Sequence, residues 1–500
     1  MSALICLPVV LPLLAAALKL AIGQRLSRLQ SLISVVTLIV VLAIAIVLAV
    51  AVDRDGTLVA QAGGWAAPMG ISLVADRLST LMLAVSAAVT LAVMVYSIAQ
   101  DFADQDETAP LSIFHPAFLV MVAGVSDAFL AGDLFNLFVG FEILLSGSYV
   151  LLTFGGTESR VRAGATYAVM GLTSSLLFLI AIAVTYAATG TMSMAHIAER
   201  FDGLPLAIKL LVELTLLLVF GVKAAVFPMS AWLPDSYPTA PAPATAVFAG
   251  LLTKVGVYSI IRLESLLFPG GPVASLLQWV ALATMLVGIC GAIVQSDIKR
   301  LLSFTLVSHI GYLVFGVSLA TPHALAGSVF YAVHHITVQT SLFLIVGLIE
   351  RRTGTTSLDR LGGLAKLTPA IAVLFFVSAI NLAGIPPLSG FIGKLGLLQA
   401  GLADGGDSEL ILVGGLLLTS LLTLYAVARV WNRAFWRPSK SVELVESVPA
   451  PMWAATAGLV ALALSFTVFA GPLSGLAERT GAELLARQPY ITAVLGGEGR

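Results

Sequence analysis

Charge is what this chain has least of. Only 11% of its 500 residues are Asp, Glu, Lys or Arg, and 59% are hydrophobic, whereas a water-soluble globule carries roughly 25% charged residues. That excludes a soluble domain and marks an integral membrane protein. The formal net charge is −1. With no basic stripe and no long charged tail, nucleic acid and other polyanions are excluded as partners. Cysteine is nearly absent too. Cys6 and Cys290 both lie in apolar runs without a CxxC or Cys/His cluster, so they read as small hydrophobes. A P-loop, HExxH, GxSxG and paired CxxC motifs are all missing. No cofactor and no metal is expected, and an ordinary enzyme is the least favoured class.

Long apolar runs are what the chain has instead. Runs of about 20 residues, the length that crosses a bilayer, fall near 3–22, 32–52, 73–99, 113–131, 134–154, 164–188, 206–227, 243–262, 274–295, 301–319, 324–349, 370–400, 409–430 and 452–471. This predicts an all-α polytopic bundle of about fourteen transmembrane helices, with loops too short for a separate soluble domain. The apolar N-terminus lacks a basic n-region and a small-residue cleavage site, so it reads as a retained first span. Residues 472–500 read as a tail with a short amphipathic helix. The expected division is a three-span segment over 1–112, five-helix repeats over 113–265 and 266–436, and a last span with its tail over 437–500.

Basic residues fall after odd-numbered spans: Arg25 and Arg28, Arg160 and Arg162, Lys299 and Arg300, Arg351, Arg352, Arg360 and Lys366, and Arg429, Arg433, Arg437 and Lys440. The positive-inside rule then places the odd loops in the cytoplasm and both termini outside. The third loop, DFADQDETAP, is acidic, but acidic residues weigh little in that rule.

The informative residues are the charges inside the spans. Each costs about 2.5–3.5 kcal/mol at the bilayer centre, which makes it a functional candidate by default. Glu142 lies in the fifth span, Lys223 in the seventh, Lys254 in the eighth, His309 in the tenth, His334 and His335 in the eleventh and Lys394 in the twelfth. The two neighbouring histidines point about 100° apart, so one of them is expected to face the interior. Glu213, four residues after Lys209, reads as half of an interfacial ion pair. Pro228 follows Lys223, while Pro386 and Pro387 precede Lys394, so spans seven and twelve should be broken helices. Such breaks survive in a membrane only inside protein or beside a wet cavity. Carboxylate, lysines and histidines in successive spans suit a proton relay.

Two spacings suggest an internal repeat. Asp133 to Glu142 matches Arg300 to His309 at a shift of 167, and Lys223 and Lys394 are 171 apart. Spans four to eight and nine to thirteen then form two five-helix repeats, and an odd helix number inverts the second.

The stretches GVKAAVFPMSAWLPDSYPTAPAPATAVFAGLLTKVGVYSI at 221–260, SDIKRLLSFTLVSHIGY at 296–312 and NLAGIPPLSGFIGK at 381–394 resemble the antiporter-like subunits shared by respiratory complex I and Mrp-type cation/proton antiporters. GDLFNLFVGFEILLSGSYVLL and the tail ending PYITAVLG are most similar to the D-type subunits of Mrp antiporters. The chain departs from the family pattern at Gly140, where a bulky residue is usual, and at Glu213. The resemblance implies fourteen spans, breaks in the seventh and twelfth, and a polar axis through Glu142, Lys223, Lys254, His335 or its neighbour, and Lys394. It also implies work inside a hetero-oligomer of different membrane subunits that exchanges Na⁺ for H⁺. A lysine-rich axis repels cations, whereas Na⁺ seeks several oxygen ligands, by analogy with other hard cations. This chain is therefore expected to hold the proton path, with the Na⁺ site in a partner or at a subunit interface. The alternatives are a proton-pumping subunit of a complex I or hydrogenase complex and an independent metabolite transporter.

Overall fold

The structure, a computed structural model, describes residues 2–23, 27–100, 111–438 and 444–496. Arg25, the acidic loop 101–110 and Lys440 lie outside the described residues. A backbone in hydrocarbon must satisfy its polar groups internally, and accordingly the chain is a bundle of helices. Among the described residues, 12 helices are long and apolar enough to cross a membrane. The count differs from the expected fourteen at two places. Leu206–Ala224 carries Lys209, Glu213 and Lys223 within one span length, and the twelfth run is split into Pro369–Ala383 and Ser389–Asp404.

Burial sorts the helices into a centre and a rim. The apolar windows of Ala242–Leu267 and Pro322–Thr353 are 100% buried and that of Ile298–Ser318 is 94% buried, against 33% for Ser2–Ile22 and Ala450–Val468. The three central helices hold Lys254, His309, His334 and His335. The rim helices turn Leu and Val outward, as Val169, Leu172 and Leu176 do at helical spacing, a face suited to lipid.

Loop contacts define two faces. On one, a hairpin pairs Leu58–Gln61 with Ser72–Ala75, Leu73 bridges Ala131, and Asp133 bridges Ser193. The C-terminal helices Ala470–Ala486 and Gln488–Leu495 lie on this face, where Glu483 meets Arg77 and Arg487 meets Asp202. The tail thus forms two helices where one was expected. The hairpin was also unforeseen, and it moves the start of the third span from residue 73 to Arg77, behind an Asp76 carboxylate that accepts from the Ser79 amide. On the opposite face Asp297 bridges Ser357, Arg300 pairs with Asp235, and Arg351 donates to the carbonyls of Gln100 and Ser447.

Three central segments depart from regular helix. Leu206–Ala224 ends at Ala225 in the left-handed region, and Pro369–Ala383 ends at Gly384, also left-handed. The expected breaks at Pro228 and at Pro386–Pro387 are therefore present. The eighth helix, Ala242–Leu267, runs through but contains π-turns at Phe248–Leu252 and Leu263–Leu267. Such turns commonly occur at functional sites.

Candidate functional site

Glu142, half-buried on the Leu134–Thr153 helix, accepts a hydrogen bond from Ser175 Oγ on the Glu158–Thr189 helix. Lys223, 8% exposed, donates to the same hydroxyl at 3.1 Å. The carboxylate and the ammonium are thus joined through one serine. Lys223 Nζ also lies 5.3 Å from the centre of the Phe141 ring, whose face is negative. Gly140 lets the fourth and fifth helices touch: a Cβ there would lie 2.8 Å from the backbone nitrogen of Ala128. That close approach accounts for the missing bulky residue.

Lys254 is fully buried, and its Nζ donates to the Ala249 carbonyl at 2.7 Å. Ala249 lies in the π-turn Phe248–Leu252. The bend therefore gives a buried ammonium an acceptor where none of the described carboxylates pairs with it.

Both neighbouring histidines are fully buried in protein, each facing a different element. The rings of His335 and His309 lie 5.1 Å apart, and His309 Nδ1 shares a 2.8 Å hydrogen bond with the Tyr331 hydroxyl. His334 Nδ1 shares a 3.0 Å bond with Ser389 Oγ, at the restart of the broken twelfth span. Neither ring nitrogen of His335 has a hydrogen-bond partner among the described residues, nor has His334 Nε2. Lys254 and Lys394 both lie within electrostatic reach of His335.

Lys394, 4% exposed, closes the second break. Its Nζ donates to the carbonyls of Ala383 at 2.9 Å and Leu382 at 3.4 Å and lies 5.0 Å from the Tyr312 ring. A cation at the unsatisfied carbonyl end of a half-helix is favourably placed. Gly390 makes the turn possible, since a Cβ there would lie 2.0 Å from the Asn381 carbonyl.

Two capped helix starts recur at an offset other than the expected one. Asp133 and Asp297 each cap a helix and bridge Ser193 and Ser357, so both pairs are offset by 164 (297 − 133 and 357 − 193). That is three residues short of the shift that paired Glu142 with His309. Lys223 lies two residues before its left-handed residue, Ala225, whereas Lys394 lies ten after Gly384. The lysines stand on opposite sides of their breaks.

Sequence reasoning missed Ser175, Tyr331 and Ser389. Hydroxyls are common in helices and usually bond their own helix's carbonyls, so only packing distinguishes these three. The expected Lys209–Glu213 ion pair is absent: Lys209 donates to the Asp202 carbonyl at 2.9 Å, and Glu213 is buried with neither carboxylate oxygen hydrogen-bonded. The i,i+4 spacing allowed the pair, but the long lysine stem reaches the helix end instead. Asp133, 8% exposed, caps its helix, and burial pushes its carboxyl up to about 6.

Residues 131–423, which enclose Glu142, Lys223, Lys254, His309, His334, His335 and Lys394, match the family described as NADH:quinone oxidoreductase/Mrp antiporter, TM. The chain is 36% identical to the D subunit of the Na⁺/H⁺ antiporter of Alkalihalophilus pseudofirmus and 35% identical to that of Bacillus subtilis; each comparison covers 99% of this chain and 100% of the relative. Its fold matches a chain of the Mrp complex from Dietzia sp. DQ12-45-1b with a TM-score of 0.91 at 31% identity, over 99% of this chain and 100% of that one. A chain of respiratory complex I from Thermus thermophilus matches with a TM-score of 0.81 at 26% identity, over 96% and 99%. Full-length likeness to these relatives, with a shared fold, places the chain in the NADH:quinone oxidoreductase/Mrp antiporter membrane family, among the D-type subunits of Na⁺/H⁺ antiporters.

Proposed function

We propose that the chain is the proton-carrying subunit of a multisubunit Na⁺/H⁺ antiporter in the cell membrane, working beside other Mrp-type membrane subunits. In this reading it crosses the membrane fourteen times, counting the two interrupted spans, as a three-span segment, two inverted five-helix repeats and a last span. The face that gathers Arg160, Lys299, Arg300, Arg351 and Arg433 is cytoplasmic by the positive-inside rule, which puts both termini outside.

The observation that carries the reading is the shared hydroxyl between Glu142 and Lys223. A proton on Lys223 passes through Ser175 to Glu142 or is held by the pair, and its presence resets the field at Lys254. Lys254, His335, His309, His334 and Lys394 form the second half of the line. Burial without a counter-ion makes a lasting charge on any of these bases costly, and histidine bridges neighbouring sites. The Lys394 ammonium, held by Ala383 and Leu382 at the second break, gates release to the other face.

Proton flux in everted vesicles with the partner subunits co-expressed tests this. Glu142→Gln and Lys223→Ala should lose most antiport. Near wild-type exchange by either variant, with normal assembly, overturns the role given to that residue. Likeness to complex I and to a chain of a membrane-bound sulfane sulfur reductase, TM-score 0.90 at 26% identity, supports a second reading in which the same line serves a redox-driven pump. Copurifying partners decide between them: small antiporter subunits in the first case, redox modules in the second.

A further inference from the structure

Two buried carboxylates stand apart from the polar line. Glu213 is fully buried, and neither of its carboxylate oxygens has a hydrogen-bond partner among the described residues. Glu264, 7% exposed, lies in the π-turn Leu263–Leu267, and its Oε1 is also without a partner. The two interact electrostatically. Their helices touch where a Cβ on Gly256 would lie 2.6 Å from the Ala224 nitrogen. Glu213 precedes Lys223 by ten residues and Glu264 follows Lys254 by ten. At 1.5 Å per residue each carboxylate is therefore about 15 Å from its lysine, toward the face of the hairpin and the C-terminal helices.

No base among the described residues pairs with them. Lys209 bonds the Asp202 carbonyl, Arg262 pairs with Asp76 at 2.6 Å, and Arg200 and Arg487 bond the carbonyls of Thr189 and Ala198. The helices Met194–Phe201 and Ala470–Ala486 pack on this turn. On the second of these, Arg479 is held by Asp53 and Glu483 by Arg77. On the first, His196 interacts with Arg200 and Glu199. The Val273 amide faces Glu213.

An ionised carboxylate only accepts, and the last carbonyls of a helix lack intrahelical donors. The helix end adds negative potential of its own. Gly271 brings the following loop against the carboxylate, since a Cβ there would lie 2.4 Å from Glu213 Oε1. A buried set of acceptors holds two negative charges only with a cation among them; without one, a carboxyl carries a proton.

We propose that Glu213 and Glu264 form a site for one small, hard monovalent cation, at which Na⁺ and a proton compete. The proposal rests on the Na⁺/H⁺ reading above and gives this subunit a cation site of its own, contrary to the expectation that Na⁺ binds only in a partner. The carboxylate oxygens of Glu213 and Glu264 suit a hard cation, whereas the lysines Lys223, Lys254 and Lys394 repel one. As Na⁺ leaves, one carboxylate gains a proton and the charge of the site is unchanged.

Infrared difference spectra of the assembled complex in lipid test the proposal, with Na⁺ replacing choline at fixed pH. Na⁺ should remove the carbonyl stretch of a protonated carboxyl, and the half-saturating Na⁺ should rise about tenfold for each unit fall in pH, as one-to-one competition requires. Glu213→Gln and Glu264→Gln should each abolish that change. Should Glu213→Gln fail to assemble, the Glu264→Gln result stands alone. Glu142→Gln should keep the change while losing antiport, so the cation site and the proton line fail separately. A band that responds to pH and not to Na⁺, or one that persists in both glutamine variants, overturns the proposal.

Discussion

Ser175→Ala removes one oxygen atom from the proposed relay and leaves every titratable group in place. Ser175 is 6% exposed, donates to Glu142 and accepts from Lys223 at 3.1 Å. Hydrogen bonds to charged groups contribute about 1.5–3 kcal/mol each. Losing one of them unreplaced in the rate-limiting transfer slows exchange roughly ten- to hundredfold, at about 1.4 kcal/mol per decade. The lower figure applies when a water takes over the bridge. A cavity of about 30 Å³ beside Lys223, bordered by Ser174, Tyr167 and Tyr237, has room for one. The assay is Na⁺-driven proton flux in everted vesicles carrying the whole complex, with the amount of assembled subunit measured in the same vesicles. Ser175→Thr keeps the hydroxyl and should retain most activity. Antiport by Ser175→Ala within about twofold of wild type, at equal assembly, would refute the bridge; the Glu142 and Lys223 roles would then need a route through water alone.

Three further outcomes follow from the packing. Gly256→Ala drives a Cβ to 2.6 Å from the Ala224 nitrogen and 2.9 Å from the Lys223 carbonyl carbon. Backbone cannot give way as a side chain does, so overpacking of about 1–3 kcal/mol should lower the melting temperature of the complex and its exchange rate together. Arg262 and Asp76 pair at 2.6 Å with side chains 5% and 4% exposed. Arg262→Met alone should cost about 3–5 kcal/mol through the stranded carboxylate, whereas Arg262→Met with Asp76→Leu should recover most of it, as read by thermal melting in detergent. Burial holds the Asp133 carboxyl at about 6, above its unfolded value of about 3.9. The folded state therefore binds the proton more tightly, and this contribution, present below pH 4, is lost as pH rises through 6. The fall of about 3 kcal/mol should be absent from the pH profile of Asp133→Asn.

Much of the site was legible before folding, and the reason differs from residue to residue. Glu142, Lys223, Lys254 and Lys394 announce themselves because an ionised side chain in an apolar run has no cheap alternative explanation. The breaks are legible because Pro228, Pro386 and Pro387 remove donors wherever they sit. Glu213 was misread: its spacing from Lys209 fits an ion pair, and nothing in a linear sequence shows that Lys209 donates to the carbonyl of Asp202, just past the end of the preceding helix, or that Glu264 arrives from the next span. The two spacings suggested shifts of 167 and 171, whereas the helix caps Asp133 and Asp297 and their bridges recur at 164, and only folding shows which residues make those caps and bridges.

The sequence by itself determined which runs are long and apolar enough to cross hydrocarbon, since span length follows from bilayer thickness and backbone satisfaction. It determined equally which side chains would be costly there. Tertiary structure alone decided which of those groups meet: Ser175 between Glu142 and Lys223, His335 beside His309, and Lys394 on the carbonyls of the broken helix, with Glu213 and Glu264 within electrostatic reach of each other and unpaired with any base among the described residues. A charge can be placed in a membrane from one dimension, because its cost depends on depth. Its partner cannot, because hydrogen bonds act over about 3 Å and that contact is set by how separate helices pack.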